Sequence, residues 1–407
     1  MKVLISSMSA MAETAGPSSR ARLLVEHLKD AGIEVATCIG EDVNYKPIDG
    51  VKNYYLEVPM PLGLPKAIAA KTFPIAQKLG IIERKNVGSF EDVLHFTGNI
   101  DYNYLLKSVE DIRKAIADFN PDMVYSEFNI SAIIAAKLEE KPLYATISYP
   151  TQTEYSSTPK YAKGLKKFLK ENSLPDVSSS LDLFKWADKS FVPSIYELEP
   201  IDNDNVTFCG TWKDVYLKNS LDNSLDNSLD NSLDNDKPNE NNGNNKNTIL
   251  VYMGNGTVSS KKMLNEIKDA FIGTGYEVYI ASLGLEKKEY ENIHVDKRWD
   301  FSRLLNDALL FINHGGQNSM IDGLIYGVPQ LICLGRVFER IYNGKSVENL
   351  GAAKVLNLDE FKAEIIRDVS EKLINDNVFR ENSKLLGDKL KSCGGIDCII
   401  DAINEKK

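Results

Sequence analysis

The chain has 407 residues, a formal net charge of −10 at pH 7, 43% hydrophobic residues and 26% charged residues. This length exceeds one typical domain and suits two domains of about 200 residues each. The acidic balance argues against a general nucleic-acid binder, because phosphate binding needs a basic surface. The five cysteines and four histidines are scattered along the chain, so we predict neither a disulfide framework nor a metal site.

The N-terminal residues, MKVLISSMSAMAETAG, contain an apolar run of only about three residues, which is too short for a signal peptide. No run of about eighteen apolar residues occurs, so no membrane-spanning helix is predicted. We therefore expect a cytoplasmic protein.

The first half begins with a strand–helix–strand pattern. Residues 3–6 form a short apolar strand, and a loop rich in Gly, Pro and Ser follows at 13–19. Helical spacing then runs from Arg20 to Ala31, and residues 33–38 form the next strand. This order predicts a parallel sheet. Further elements are predicted at Met123–Tyr125, Ile130–Leu138 (a helix), Leu143–Ile147, Lys189–Val192 and Val206–Cys209.

A low-complexity segment separates the two halves. Residues 219–234 are four tandem copies of Asn-Ser-Leu-Asp, and an Asn-rich stretch continues to Asn247. Such a composition buries too little apolar surface to offset the entropy of ordering, so it predicts a disordered linker over 218–248. A helix is the alternative, since Leu recurs every four residues, although Ser, Asp and Asn compete with the helical backbone.

The second half repeats the α/β pattern. A buried strand is predicted at Thr248–Met253, followed by the turn Gly254–Thr257 and a helix at Lys261–Ile272. Further strands are predicted at Glu277–Ser282, Ala308–Asn313 and Gln330–Leu334, and helical spacing dominates from Leu358 to the end.

The sequence therefore predicts an α/β protein of two doubly wound, Rossmann-like domains. The N-terminal domain covers 1–217, the second domain covers 249–380, and a C-terminal helix within 381–407 is expected to pack back on the N-terminal domain. Ligands of such sheets bind at the carboxyl ends of the strands, so we expect the site in a cleft that the two domains face.

The segment His314-Gly315-Gly316 follows an apolar strand and opens a helix. Two glycines let the backbone approach a ligand, and the amides at the helix start favour an anionic phosphate. His314 can donate to a diphosphate oxygen, and Asp322, about two helical turns further on, can accept from sugar or ribose hydroxyls. A tight turn without a ligand is the alternative.

The longer continuation resembles the donor-binding signature of GT-B glycosyltransferases, particularly the UDP-glycosyltransferase family. The matching residues are His314-Gly315-Gly316, Asn318-Ser319, Asp322 and Gly327-Val328-Pro329, and Phe338-Glu339-Arg340 with Asn343 resembles the acidic-Gln…Asn element that follows. The likeness is close over 299–353 and loose elsewhere. It implies the GT-B fold, a nucleoside diphosphate sugar as donor substrate, and no bound metal or other cofactor.

By this resemblance, His314 and the amides of Gly316, Asn318 and Ser319 would hold the diphosphate. Asp322 would bind the ribose hydroxyls, although the family usually has Glu there. Glu339 would bind the hydroxyls of the transferred sugar. Arg340 stands where Gln is usual, so it either favours an acidic sugar or pairs with Glu339.

Two further segments complete the predicted donor site. Gly254, Gly256 and Thr257 resemble the family's Gly-Thr loop beside the donor phosphates. Trp299 resembles the family's base-stacking tryptophan and can stack on a uracil or thymine ring. A half-buried surface tryptophan is the alternative.

The catalytic base is less clear, because Pro17 stands where the family has its histidine, and proline cannot take a proton. Glu127 falls at the position of the carboxylate that orients this histidine. Glu127 is therefore one candidate base if burial raises its pKa. Glu13, in the same loop as Pro17, is the other. A third hypothesis is an acidic acceptor that needs no base.

The other histidines, His27, His95 and His294, are predicted to be structural, the last two because they lack companion groups.

Residues 159–171 carry five lysines with apolar residues between them, and residues 62–81 are apolar with spaced lysines. These stretches indicate either ordinary amphipathic surface helices or peripheral contact with an anionic membrane that presents a lipid acceptor.

The function predicted from the resemblance is transfer of a sugar from a nucleoside diphosphate donor, UDP first and TDP second, to an acceptor hydroxyl with inversion. The acceptor is unknown, either a small molecule or lipid-linked. One alternative is a UDP-sugar 2-epimerase of the same fold. The other, motivated by Pro17, is a pseudoenzyme that binds sugar nucleotides without turning them over.

Overall fold

A computed structural model of the chain describes residues 1–11, 15–41, 46–69, 71–72, 86–213, 247–254 and 257–406. It divides into unit 1, which comprises Met1–Ile81, Val87–Lys213 and Cys393–Lys407, and unit 2, which comprises Ile82–Asn86 and Asp214–Ser392. Glu13, Gly256 and the linker predicted over 218–248, apart from its last two residues, lie outside the described residues.

The described strands of unit 1 form one parallel sheet of seven strands in the order β3-β2-β1-β4-β5-β6-β7. The inner strand at Lys2–Ser7 has an apolar middle, and Val3, Leu4 and Ile5 are fully buried. This is expected of a parallel sheet whose two faces are both covered. The strands are β1 (Lys2–Ser7), β2 (Glu34–Gly40), β3 (Lys52–Leu56), β4 (Met123–Glu127), β5 (Leu143–Thr146), β6 (Lys189–Val192) and β7 (Val206–Phe208).

The first helix of unit 1 begins earlier than predicted. It starts at Ala15, inside the loop expected over 13–19, because Pro17 falls in the first turn, where a missing amide hydrogen costs no helical bond. The helices described before the linker are α1 (Ala15–Asp30), α2 (Phe90–Thr97), α3 (Tyr102–Phe119), α4 (Ile130–Leu138), α5 (Thr153–Ser156) and α6 (Lys163–Glu171). Short 3-10 helices lie at Pro61–Gly63, Tyr149–Thr151, Pro159–Ala162 and Ser180–Trp186.

The described strands of unit 2 form a second sheet of seven strands in the order β10-β11-β9-β8-β12-β13-β14, parallel except for the antiparallel pair β10–β11. The strand β8 begins at Thr248, the last residue of the predicted linker. The strands are β8 (Thr248–Tyr252), β9 (Glu277–Ala281), β10 (Lys288–Tyr290), β11 (Ile293–Asp296), β12 (Ala308–Asn313), β13 (Gln330–Cys333) and β14 (Ala353–Leu356).

The helices of unit 2 flank this sheet and include the long helix near the C-terminus. They are α7 (Ser260–Phe271), α8 (Phe301–Asp307), α9 (Gln317–Ile325), α10 (Phe338–Asn349), α11 (Ala363–Asn375) and α12 (Asn377–Ser392). The boundary predicted at residue 381 falls inside α12. This helix stays in unit 2, where Arg380 donates hydrogen bonds to the carbonyls of Ala308 and Leu309 at 3.0 Å.

The last helix, α13 (Asp397–Asn404), belongs to unit 1. Ile399 and Ile403 are fully buried in the same core cluster as Val3 and Ile5 of β1. The Tyr144 hydroxyl of β5 donates to the carbonyl of Ala402 at 3.0 Å. The segment after residue 392 is therefore an integral part of the core of unit 1.

The basic helix α6 packs its apolar side into unit 1. Leu165, Phe168 and Leu169 are buried, and Lys163 and Lys167 are exposed. Packing within the unit thus accounts for the amphipathic pattern, as the ordinary surface-helix interpretation requires. Over the described ranges, no helix has both the length and the apolar character that a membrane crossing needs.

Candidate functional site

The carboxyl edge of the second sheet brings the predicted donor segments together. The strands β8 and β12 pair in parallel with Tyr252 opposite Asn313, and Asn313 lies opposite Ile332 of β13. The residues that follow these strands therefore meet at one edge of the sheet. They include the turn at Gly254, the turn at 314–316 and the start of α10.

The imidazole of His314 lies between two glycines. A Cβ atom added at Gly254 would lie 2.8 Å from the ring, and one added at Gly316 would lie 2.7 Å from its Nε2 atom. Both distances are below van der Waals contact, so any larger residue at either position would displace the ring. Two predicted segments, about 60 residues apart in the chain, thus close on one side chain.

His314 is only 7% exposed, and burial together with the charge of Arg340 lowers its pKa to about 3. It is therefore neutral at pH 7. Its Nδ1 atom lies 3.5 Å from the carbonyl oxygen of Tyr252, and the Tyr252 ring packs edge-to-face against it at 5.4 Å. The Tyr252 carbonyl can only accept, so this contact favours the proton on Nδ1. Because a neutral imidazole donates from one nitrogen only, donation from Nε2 to a phosphate oxygen requires the proton to move to Nε2 or the ring to gain a second proton.

The guanidinium of Arg340 donates to the hydroxyl of Thr257 at 2.8 Å. This contact connects the predicted Gly-Thr loop to the start of α10, and the sequence did not suggest it. Arg340 and Glu339 are adjacent in a helical turn, where neighbouring side chains point apart. The guanidinium of Arg340 thus lies beside His314 and Thr257. The sequence suggested two roles for Arg340, binding an acidic sugar or pairing with Glu339, and this position is neither of them.

A buried amide network fixes the turn after β12. Asn313 accepts from the amide of Gly315 at 2.9 Å and donates to Gln330 at 2.8 Å. Asn343 donates to the carbonyl of Gly315 at 3.0 Å. Asn313 and Gln330 were not among the predicted site residues, although polar residues at the ends of apolar strands are a signal that the sequence contains. These bonds hold the peptide of Gly315, whose φ of +77° is easy only for glycine.

The helix α9 begins directly after Gly316, which serves as its N-cap. Helix-start amides point along the axis and favour an anion. In this helix Ser319 and Asp322 are 7% and 8% exposed and share one face, and Asn318 is exposed. Glu339 is half-buried in the first turn of α10. Their roles toward ribose and sugar stay predictions.

Trp299 is half-buried at the carboxyl end of β9. Its indole N–H donates to the carbonyl of Ile280 at 3.1 Å, and its ring stands edge-to-face with Tyr279 at 5.1 Å. These contacts fix the ring orientation. Stacking on a nucleotide base stays a prediction, because a half-buried tryptophan was equally expected without a ligand.

His294 has the companion groups that the sequence analysis did not find. Its Nε2 atom lies 2.8 Å from a Glu277 oxygen, and its Nδ1 atom contacts Glu289 across the β10–β11 pair. Burial lowers its pKa, but the bonds to these two carboxylates outweigh burial and raise it. His294 is therefore a structural residue, as expected, but one that favours its charged form.

The candidate base Glu127 lies at the carboxyl end of β4 and is fully buried. Its Oε1 atom accepts from Arg20 Nε at 2.7 Å, and the guanidinium lies over the Phe128 ring at 5.5 Å. Burial raises the pKa of Glu127, and the charge of Arg20 opposes that rise. The ion pair with Arg20 fixes the position of this carboxylate, and its role as the base stays a prediction.

One family model and two curated relatives match part of the chain. Residues 287–394 match the model of the erythromycin biosynthesis protein CIII-like C-terminal domain. The chain is 26% identical over 172 residues to the uncharacterised UDP-glucosyltransferase YojK of Bacillus subtilis (strain 168). This alignment covers 40% of this chain and 42% of the relative. It is 29% identical over 120 residues to the aclacinomycin-T 2-deoxy-L-fucose transferase of Streptomyces galilaeus, covering 29% of this chain and 26% of the relative.

Solved structures resemble the whole chain. A glycosyltransferase of kitacinnamycin superposes with a TM-score of 0.71 and 16% identity over 99% of this chain and 98% of the other. The calicheamicin glycosyltransferase CalG4 superposes with a TM-score of 0.68 and 15% identity over 99% and 97%. At such identities these structures establish the fold.

The chain thus has the GT-B fold, built from two α/β units with largely parallel, Rossmann-like sheets. Residues 287–394 match the CIII-like domain model, and about two fifths of the chain aligns with a UDP-glucosyltransferase, which agrees with the resemblance seen in the sequence. The sequence alignments to the two curated relatives span less than half of each relative's own length.

Proposed function

We propose that this protein transfers a sugar from a nucleoside diphosphate donor to an acceptor hydroxyl. The observation that carries the proposal is the enclosure of His314 by Gly254 and Gly316 beside the Arg340–Thr257 pair. This arrangement supplies a cation, a hydroxyl, an imidazole and helix-start amides at one edge of a sheet. Such groups bind a diphosphate and stabilise the charge that develops on it as it leaves.

The relatives support this chemistry. The curated ones are sugar transferases, and none of the relatives or structures cited here is an epimerase, so the 2-epimerase alternative is not favoured. A spinosyn rhamnosyltransferase of similar fold was solved with thymidine diphosphate and with the spinosyn aglycone. We therefore propose UDP or TDP as the nucleotide and a small molecule as the acceptor. The nucleotide sugar is a substrate, and no separate cofactor is proposed.

The proposed division of roles follows the two units. In unit 2, His314, Thr257 and Arg340 hold the diphosphate, Asp322 and Glu339 bind the ribose and sugar hydroxyls, and Trp299 stacks on the base. In unit 1, the Arg20–Glu127 pair fixes the carboxyl edge of the first sheet. For deprotonation of the acceptor, Glu127 and Glu13 are the two proposed bases, and an acidic acceptor would need neither.

An activity assay separates the proposed function from its two alternatives. The wild-type protein is incubated with UDP-glucose and TDP-glucose, with and without a panel of small hydroxylated acceptors, and the products are resolved by mass spectrometry. We expect nucleoside diphosphate release together with a glycosylated acceptor. An epimerised donor formed without any acceptor would support the epimerase, and donor binding with neither transfer nor hydrolysis would support the pseudoenzyme.

A further inference from the structure

The helix α6 carries a basic surface that packing within unit 1 does not explain. Its buried side is formed by Leu165, Phe168 and Leu169. Lysines stand at the i, i+3, i+4 and i+7 positions of the same helix, so they share the opposite face. One more lysine lies in the 3-10 turn that precedes the helix. This basic surface consists of Lys160, Lys163, Lys166, Lys167 and Lys170, of which all but the half-buried Lys166 are exposed.

The positive charges of the basic surface are largely uncompensated within the chain. Among the residues that the structure describes, Lys163, Lys166 and Lys170 form no ion pair, and Lys167 reaches Glu171 only at 3.9 Å. Like charges three and four positions apart on a helix repel each other. The whole chain carries a net charge of −10, so the lysines are concentrated here against an acidic background. Such a surface destabilises the free protein slightly and is complementary to an anionic partner.

A second segment of unit 1 meets α6 at the start of α3. A Cβ atom added at Gly164 of α6 would lie 2.9 Å from the carbonyl oxygen of Ile100 and 3.1 Å from the amide nitrogen of Tyr102. A Cβ atom added at Gly63 would lie 2.5 Å from a carboxylate oxygen of Asp101. The two lysine-containing stretches identified in the sequence therefore lie next to each other where α3 begins.

Three exposed apolar side chains lie within a few residues of this contact. Leu62 is 51% exposed, Ile68 is 49% exposed, and Leu106 of α3 is 45% exposed. Leu62 has a φ of +56°, a left-handed conformation that costs free energy for a residue with a Cβ atom. The exposed Lys66 and Lys71 accompany these side chains. Lysines beside large exposed apolar residues are typical of a surface that binds the interface of an anionic bilayer.

We propose that the basic surface of α6 and the exposed apolar residues beside it dock unit 1 on an anionic lipid bilayer. The anionic headgroups supply the negative charge that the lysines lack within the chain. Leu62, Ile68 and Leu106 enter the apolar boundary beneath the headgroups. A nucleic acid offers phosphates but no apolar medium for these side chains, so the combination favours a bilayer.

The docking is peripheral, because the apolar side of α6 stays in the core of unit 1. It concerns where the protein acts and goes beyond the proposed sugar transfer. Failure of either proposal leaves the other intact, since vesicle binding and sugar transfer are measured separately.

The first arm of the test measures binding of the full-length protein to vesicles by flotation. One set of vesicles is an equimolar mixture of phosphatidylcholine and phosphatidylglycerol, and the other is pure phosphatidylcholine. We expect the anionic vesicles to bind at least about tenfold more tightly than the neutral ones, and added salt to weaken this binding by screening the lysines. Failure to bind the anionic vesicles would overturn the proposal. Binding to heparin without binding to these vesicles would assign the surface to another polyanion and overturn it as well.

The second arm removes the charge of the basic surface. The variant combines Lys163→Gln, Lys166→Gln, Lys167→Gln and Lys170→Gln. We expect its affinity for the anionic vesicles to fall by more than about tenfold, because each lysine near such a surface contributes to binding. Its melting temperature should equal or exceed that of the wild type, since repulsion along the helix is relieved. Loss of binding then reports on the surface and not on unfolding.

The matched control removes the same charge from exposed lysines outside the basic surface. It combines Lys137→Gln, Lys261→Gln, Lys287→Gln and Lys372→Gln. This control should bind the anionic vesicles within about twofold of the wild type, because its charges lie away from the docking surface. An equal loss in both variants, or no loss in the α6 variant, would overturn the proposal.

The third arm tests the apolar part of the surface with Leu62→Asn. Asn tolerates the left-handed conformation better than Leu, so the backbone at this position should be retained. We expect the affinity for the anionic vesicles to fall by about threefold or more, with the salt dependence of the wild type. An unchanged affinity would contradict the entry of Leu62 into the bilayer.

Discussion

The imidazole of His314 is enclosed by backbone on two sides, and this enclosure decides both its position and its charge. Gly254 and Gly316 leave room for the ring, and burial with the nearby Arg340 keeps it neutral. His294, in the same unit, lies between two carboxylates and favours its charged form. One of these histidines is thus neutral and the other favours its charged form, because the partners of the two rings differ.

The glycine at 316 can be tested directly. Gly316 has an ordinary negative φ, so Gly316→Ala introduces no backbone strain and acts only through contact with the His314 ring. We expect a loss of about 1–3 kcal/mol in the free energy of unfolding. We also expect weaker UDP binding, measured by urea titration and calorimetry respectively.

Gly275→Ala is the matched control for this substitution. A Cβ atom there meets nothing within 4 Å, and Gly275 lies in the same unit. It should leave both the stability and the UDP affinity unchanged. Equal effects of the two substitutions would show that the enclosure of His314 plays no part.

The two histidines should give opposite pH dependences of stability. The pKa of His314 is about 3 in the folded state against 6.5 unfolded, so the folded state binds fewer protons and stability falls as the pH drops below 6.5. Between pH 6.5 and pH 5 the wild type should lose up to about 2 kcal/mol more than His314→Gln.

The pKa of His294 is raised above 6.5, so its stabilisation is complete below pH 6.5 and is lost as the pH rises through the folded-state value. His294→Gln should therefore lose stability relative to the wild type at pH 6 and recover toward it in alkaline solution. Urea titrations across this pH range measure both slopes. If the stability difference from the wild type changed with pH in the same direction for both variants, the buried neutral state of His314 and the charged state of His294 would be contradicted.

At the scale of elements, the hydrophobic pattern of the sequence predicts the fully buried strands and fails to predict several of the more exposed ones. The apolar runs at Lys189–Val192 and Ala308–Asn313 were predicted with the observed bounds. The strand β3 (Lys52–Leu56) was missed because its residues are mostly polar or exposed, as expected at the edge of a sheet. The strands β10, β11 and β14 were missed as well.

The candidate site shows the same limit. The turn at 314–316 follows a strong local pattern, so the sequence identified it. The Arg340–Thr257 contact joins residues 83 positions apart, and no local pattern encodes such a pairing. The amides of Asn313 and Gln330 were missed because their partners become visible only when β12 and β13 pair.

The junction between the 254–257 loop and α10 gives a prediction about charge. Arg340→Gln restores the residue usual in the family but removes the cation beside Thr257 and His314. We expect the affinity for UDP to fall by about tenfold, equivalent to about 1.4 kcal/mol, with a weaker salt dependence. The affinity for uridine should not change.

Lys345→Gln is the control for this substitution, because it removes one positive charge from an exposed position on the same helix. It should preserve UDP binding and its salt dependence. If Arg340→Gln bound UDP as the wild type does, the cation would have no role at the diphosphate.

At the scale of the whole molecule, the chain order and the units do not coincide. Unit 1 is completed only by Cys393–Lys407, whose buried Ile399 and Ile403 join the core around strand β1. The sequence predicts a returning C-terminal helix within 381–407, whereas the segment that belongs to unit 1 starts at 393. The boundary was difficult to place because α12 and α13 have the same amphipathic periodicity and differ only in what they contact.

Truncation tests this organisation. Deleting residues 393–407 should expose the core of unit 1 and leave it unfolded or strongly destabilised, because several fully buried aliphatic side chains are lost together. Deleting the four repeats at 219–234 removes a similar number of residues from the predicted linker and should not change the melting temperature. Differential scanning calorimetry measures the melting temperature of both variants. Equal melting temperatures would refute the assignment of residues 393–407 to the core of unit 1.

The central claim is that unit 2 binds a nucleoside diphosphate through His314. It is tested most directly by calorimetric titration of UDP and TDP, each against its parent nucleoside, into the wild type and His314→Ala, with His27→Ala in unit 1 as the control. We predict that the wild type and the control bind at least one diphosphate more tightly than its nucleoside, and that His314→Ala loses about tenfold or more of this preference. Binding of neither diphosphate by the wild type, or an undiminished preference in His314→Ala, would contradict the account.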